Sequence, residues 1–270
     1  MPSIELMKFL ALSCLFLAIM PATHAEEAPA PIATPAAAPE TGKKNPKIAP
    51  EMKAALEKLV MPGVKINLDE WCVDVDSRVC LKDGMLELIA CTKDSKEHES
   101  IIVIDAKPSH VHAALLLLGA TPGNPAMREA INPEMTRFRH TPPSGNPIDV
   151  FLVLKDTEDK VTELAISEFI KAADHDDGSG VPEPPEAAKK FPTHTFLFAG
   201  SVLTGEGDGP RQYLCDMNGN VISLATFGDE LLCLPEVHDN ANGSLVWQVD
   251  GEKLPELDSK ITLRLRPQLK

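Results

Sequence analysis

Two apolar runs, Met85–Ala90 and Ile101–Ile104, flank a charged corner that carries Cys91, Lys96, Glu97, His98 and Glu99. Runs this short cannot make helices of ordinary length, and they read as strands buried on both faces. A helix is expected next, over 109–118, opened by Pro108-Ser109 and closed by Gly119. Its consecutive leucines, Leu115–Leu118, predict burial on most sides. Buried strands beside one apolar helix demand a layered domain with a real core, and the rest of the chain must supply the other layers.

The following segments read mostly as short strands. Val64–Leu68, Trp71–Val75 and Val79–Leu81 are bounded by Asp, Ser and Gly. A turn near Asp76 would set Cys72 opposite Cys80 in a hairpin, where a disulfide is geometrically reasonable; two small buried residues is the competing reading. Thr121–Pro147 is a proline-rich excursion without obvious elements, a candidate cover for a pocket. Asp149–Leu154 resumes as a strand, and Thr162–Ala173 reads as a helix. The last third again reads as strands, with Asn218-Gly219 as a hairpin turn. Short strands with few helices predict an α+β fold. Its mixed or largely antiparallel sheet lies in two halves, 62–155 and 191–270, with the 109–118 helix buried against the first.

Residues 1–25 have the pattern of a secretory leader: Lys8, an apolar run Phe9–Met20, then small residues ending at Ala25. That run falls short of the roughly 20 residues a spanning helix needs. Cleavage near Ala25 predicts an exported protein, periplasmic or secreted. Lipidation at Cys14 is the alternative. The Ala/Pro-rich stretch 26–48 cannot bury enough surface to fold and reads as a spacer. One domain is then expected over 49–270, interrupted by a polar linker at 174–190. A formal charge of −14 without a dense Lys/Arg run argues against nucleic acid as partner. An envelope protein or a small ligand is the expected partner, and the mature chain is expected to carry no transmembrane segment.

Removing the leader leaves Cys72, Cys80, Cys91, Cys215 and Cys233, an odd number, so at least one thiol stays outside any internal disulfide. The candidate site is accordingly the corner: Cys91, Lys96, Glu97, His98 and Glu99, joined by one helix histidine. His112 is preferred over His110 because residues two apart on a helix face different ways. Cys91 with His98 suits zinc or copper; Cys91 beside a lysine and a histidine also suits a reactive thiol. A third reading makes Cys91 a core residue and 97–99 an exposed charged turn. Several motifs fail. His98-Glu99 lacks a second histidine at Ile102, and Asp174–Gly180 misses the spacing of a calcium loop. No helix is expected after Gly205–Gly209 to hold a phosphate, and Gly200-Ser201 lacks the second glycine of a nucleophile elbow.

Some of these residues fall in longer patterns. L-E-L-I-A-C at 86–91, K-E-H-E-S at 96–100 and H-A-A-L-L-L-L-G-A-T-P-G-N-P at 112–125 resemble the YdjY domain of exported bacterial proteins. F-A-G-S at 198–201, the Y-x-C-D-x-x-G-N-V-I-S-L-A-T-F-G-D segment from Tyr213 and T-L-R-L-R-P at 262–267 look similar too. The resemblance implies an exported α+β domain over roughly 62–270. It supplies no reaction, ligand or catalytic residue. The expected function is therefore a non-catalytic binding module of the cell envelope, with a metal- or thiol-dependent site at the corner as alternative.

Overall fold

The computed structural model describes residues 49–269 except 57, 135, 156–159, 174–189, 206–208 and 239–244. The expected leader, spacer and Cys14, and all of the 174–190 linker except Lys190, lie outside the described residues.

The chain begins with α1 (Pro50–Leu56) and then β1 (Val64–Asn67), β2 (Cys72–Val79), β3 (Leu88–Thr92) and β4 (Ser100–Ile104). Helix α2 (Pro108–Leu117) follows, then β5 (Pro122–Asn124), β6 (Met127–Ala130), β7 (Phe138–Thr141) and β8 (Ser144–Gly145). The middle holds β9 (Pro147–Lys155), β10 (Val161–Ala165), β11 (Ile170–Ala172), β12 (Thr195–Leu197), β13 (Leu203–Thr204) and β14 (Gln212–Tyr213). Helix α3 (Leu214–Asn218), β15 (Asn220–Ser223), β16 (Leu232–Cys233), β17 (Trp247–Val249) and β18 (Lys260–Pro267) complete it.

Eight strands form a closed ring in the order β2-β18-β9-β12-β16-β15-β3-β4, and β4 returns to pair with β2. The molecule is therefore a mostly-β barrel, not the α+β sheet in two halves that the sequence predicts. The two expected halves interleave: β18 lies between β2 and β9, while β15 and β16 lie between β12 and β3. Periodicity locates a strand but says nothing of its partner. Closure removes the two edges that an open sheet of this size would have to protect.

Alternate positions fill the interior. Val73, Val75 and Val79 of β2, Ile148, Val150 and Leu152 of β9, and Ile261, Leu263 and Leu265 of β18 are all buried. Intervening residues of β18 and β2 face outward, where Arg264 and Arg266 meet Asp74, Glu70 and Glu163. Arg264 grips Asp74 with two bonds, 2.7 and 2.9 Å, in the planar fork geometry that suits guanidinium and carboxylate. Arg266 reaches Glu163 at 2.5 Å, which ties the branch strand β10 to the barrel wall.

Four further expectations are corrected. β2 runs unbroken from Cys72 to Val79, so Cys72 and Cys80 sit at opposite ends of one strand and both thiols are free. At about 3.3 Å per residue that distance far exceeds disulfide reach. Thr162–Ala173 is not a helix but β10, a short 3-10 turn (Ile166–Phe169) and β11. Asn218-Gly219 ends α3, with Gly219 in the left-handed region at φ 78°, rather than turning a hairpin. The 120–147 excursion is built of paired strands, β5 with β8 and β6 with β7.

The outer ion-pair network generates a prediction. Burial opposes ionisation of Glu163, but hydrogen bonds from Arg266 and Arg264 outweigh it and hold the carboxyl below its ordinary value of 4.5. A depressed acid contributes stability above its unfolded pKa and loses it as pH falls through the folded one. Glu163→Gln should cost about 1–3 kcal/mol at pH 7. Urea midpoints should show that gap shrinking as pH drops below 4.5.

Candidate functional site

Strands β3 and β4 are adjacent and parallel, with Leu88 beside Ser100 and Cys91 beside Val103. A parallel pair needs a crossover, commonly a dozen residues or more. Here residues 93–99 do it in one tight turn, which brings Ser95 and the Lys96 N–H to Cys91. Asp94 takes φ 61° to make the bend, and the Glu97 carboxylate accepts its N–H at 2.6 Å. Ser95 Oγ donates to the Thr92 carbonyl at 2.6 Å, and Ser100 Oγ donates to that of Lys96 at 2.8 Å. The turn packs so close to the end of α3 that a Cβ on Gly219 would stand 2.4 Å from Ser95 Oγ.

The corner residues divide into two groups. Lys96 Nζ lies 3.6 Å from both Glu87 and Glu99 and 3.4 Å from the centre of the Phe227 ring. Burial raises the pKa of Glu87, and the neighbouring Glu99 charge adds to that; Lys96 works the other way. His98 is 78% exposed, with its Nε2 3.6 Å from Glu99. Glu97 serves the turn. Cys91 is fully buried. Its expected partnership with His98 at a metal is therefore not formed, and among the described residues no group of three or more His, Cys, Asp or Glu is placed to hold an ion.

Cys91 instead meets Cys80. The Cys80 thiol donates to the Ser100 carbonyl at 3.1 Å and also interacts with the Cys91 thiol. That contact lowers the Cys91 pKa to about 7, against burial; Ser100, the Lys96 N–H and Ser95 assist. Cys80 moves up, through the same bond and burial. The shift belongs to the pair, which releases its first proton more readily than an isolated thiol would.

His112 belongs to a second constellation. Its Nδ1 stands 2.8 Å from the Tyr213 hydroxyl, which in turn donates to the Gly200 carbonyl at 2.9 Å. The hydroxyl's one proton being used, His112 must donate from Nδ1. Burial lowers the pKa of His112, with the Gly200 carbonyl opposing, so the ring is neutral at pH 7. Phe198 packs edge-on against it, ring centres 4.8 Å apart. Gly200 has φ 83°, and a Cβ there would stand 2.7 Å from Pro122 and 3.2 Å from the imidazole. Asp216 closes the group by accepting from Ser109 N and Oγ at 2.8 and 2.6 Å, a carboxylate at the first turn of α2.

Glu87, Phe227, Tyr213 and Asp216 were missed as site residues, and Cys80 was named only as a disulfide candidate for Cys72. Glu87 had a signal, an acid inside an apolar run, and Tyr213 is the single tyrosine of the chain. The sequence did not show the surroundings of Cys80, because its neighbours arrive through barrel pairing.

Segments distant in sequence therefore meet at α2: His112, Pro122, Phe198–Gly200 and Tyr213–Asp216. A family model, the YdjY domain, matches residues 64–266. The chain belongs to the YdjY domain family. The match covers the whole barrel from β1 to nearly the end of β18. No curated protein and no solved structure matches the chain.

The Lys96 cluster yields a test. A buried acid with a raised pKa contributes stability at low pH and loses it as pH rises through the folded value. Lys96→Ala removes the cation beside Glu87 that offsets this. It should destabilise by about 1–3 kcal/mol at pH 8. At pH 4, denaturant midpoints of the two proteins should nearly coincide.

Proposed function

We propose that the protein is an exported, non-catalytic binding module that engages another envelope protein through the outer face of α2. The observation that carries this reading is the packing of α2 itself. Its sequence is apolar almost throughout, yet only one side is covered. Val111, Ala114 and Leu115 are buried, while Leu116 and Leu117 are 45% and 42% exposed. This corrects the expectation of a helix buried on most sides. Leu116 lies one turn from His112, and Met217 one turn from Tyr213, on the neighbouring α3. With Leu203, paired to Tyr213, they place exposed apolar side chains around the half-buried His112–Tyr213 pair. Such a patch marks an interaction surface more often than a bare surface.

A protein suits this face better than a small ligand. The apolar side chains of the face, Leu116, Leu117, Leu203 and Met217, are 42–59% exposed and stand out to solvent, as a protein contact requires. The charge of −14 complements a partner whose apolar contact is ringed by basic residues. Export is supported by the leader and spacer patterns in the sequence. Among the described residues no helix is long and apolar enough to cross a membrane.

Photo-crosslinking in the native host tests it. Probes at Leu117, Met217 and Leu203 should give the same single adduct, absent from a probe at Asp76 and lost in Leu116→Glu. Adducts equally strong at Asp76, or adducts to a second copy of this chain, would contradict the reading.

A further inference from the structure

We propose that the β6–β7 hairpin is a docking arm for an acidic peptide segment of a partner protein, whose carboxylates meet the face formed by Arg128, Phe138 and His140. The two strands form a sheet of their own and pair with no strand of the barrel. Each described residue from 127 to 141 is at least partly exposed, so the hairpin adds nothing to the core. A lone two-stranded hairpin is marginal in water, and this one is fastened at both ends. At its base the Asn124 amide donates to the Pro125 and Pro142 carbonyls at 2.8 and 3.1 Å, and Ser144 Oγ donates to Asn124 Oδ1 at 2.7 Å. At its tip Asn132 Oδ1 accepts the N–H groups of Thr136 and Arg137 at 3.1 and 2.8 Å. Polar clamps thus hold an exposed structure in a fixed shape.

The register decides which side chains share a face. Arg128 stands opposite His140 and Ala130 opposite Phe138, while Met127 with Thr141 and Glu129 with Arg139 fall on the other side. Both glutamates of the segment are engaged away from the first face. Glu129 lies 3.5 Å from Arg139 on the far side, and Glu134 accepts from the Asn132 amide at 2.7 Å. The Arg128 face therefore carries cation and aromatic without an acid. The Arg128 guanidinium carbon lies 3.7 Å from the centre of the Phe138 ring. A guanidinium held over an aromatic face keeps its planar fork of donors for a carboxylate. Among the described residues neither that fork nor the His140 imidazole has an acceptor.

Charge complementarity sets the occupant. Between Lys107 and Lys155 the only Lys or Arg residues are Arg128, Arg137 and Arg139, all of this hairpin, in a chain of charge −14. So acidic a molecule repels anions over most of its surface, and the hairpin is where an acidic segment can approach. A broad anionic surface such as a membrane would face the rest of the acidic molecule as well, so a short peptide suits the arm better. The inference does not depend on the binding role of α2.

Fluorescence anisotropy on the purified protein tests it, with a short labelled peptide of alternating Asp and Glu as probe. Saturable binding to the wild type is expected. Arg128→Gln should weaken it by about tenfold, the loss of a charge-assisted hydrogen bond. Arg139→Gln removes the same charge from the opposite face and should change the affinity by less than about twofold. Both side chains are exposed, so both variants should keep the wild-type melting temperature. Absence of saturable binding to the wild type, equal losses in the two variants, or tighter binding to phosphatidylglycerol vesicles than to the peptide would overturn the proposal.

Discussion

The return of β4 to β2 is the contact on which the rest of the structure depends. It converts a long twisted sheet into a ring and gives every strand of the barrel two neighbours. Ser77 sits on this seam, nearly fully buried. Its hydroxyl lies 3.2 Å from the Ile261 carbonyl and accepts the Leu263 N–H at 3.1 Å. One small polar side chain thus links the closing strand β2 to β18 without leaving a buried polar group unsatisfied. Asp105 N extends the seam by donating to the Asp76 carbonyl at 2.9 Å.

Closure also dictates the chemistry of the corner. With β4 committed to β2 on one side, β3 joins it in parallel on the other, and residues 93–99 must make the crossover between them. The crossover places Ser95 and the Lys96 N–H against Cys91, and it turns His98 towards solvent. The residues that look like one reactive cluster in the sequence are thereby sorted into a fully buried thiol, Cys91, and a half-buried charged cluster around Lys96. The same topology brings β15 beside β3. The Glu87 backbone carbonyl then accepts the N–H groups of Leu224 and Ala225, and Phe227 reaches Lys96.

Much of the strand content was legible, and the errors have physical causes. Buried runs such as Ile101–Ile104 and Val221–Ala225 could hardly be anything but core. β2 was split because Asp76-Ser77 reads as a turn, yet Val73, Val75 and Val79 keep a period of two, with Ser77 at the one inward position that is polar. Ile166, Phe169 and Ile170 are buried at helical spacing, which disguised a strand, a 3-10 turn and another strand. Asn218-Gly219 suits a hairpin and a helix end equally, since both need a left-handed residue. Partners were not legible. Cys80 meets Cys91, and Tyr213 meets His112, only because pairings far apart in the chain bring them together.

Native-state hydrogen exchange at the seam tests the closed ring most directly. Ring closure predicts that the amides of Cys80 and Asp105, bonded to Ile101 and Asp76, exchange as slowly as central-strand amides such as Leu263. Fast exchange at Cys80 and Asp105 beside a protected Leu263 would mean that β2 and β4 are the free edges of an open sheet, and the account of the corner built on their pairing would be wrong.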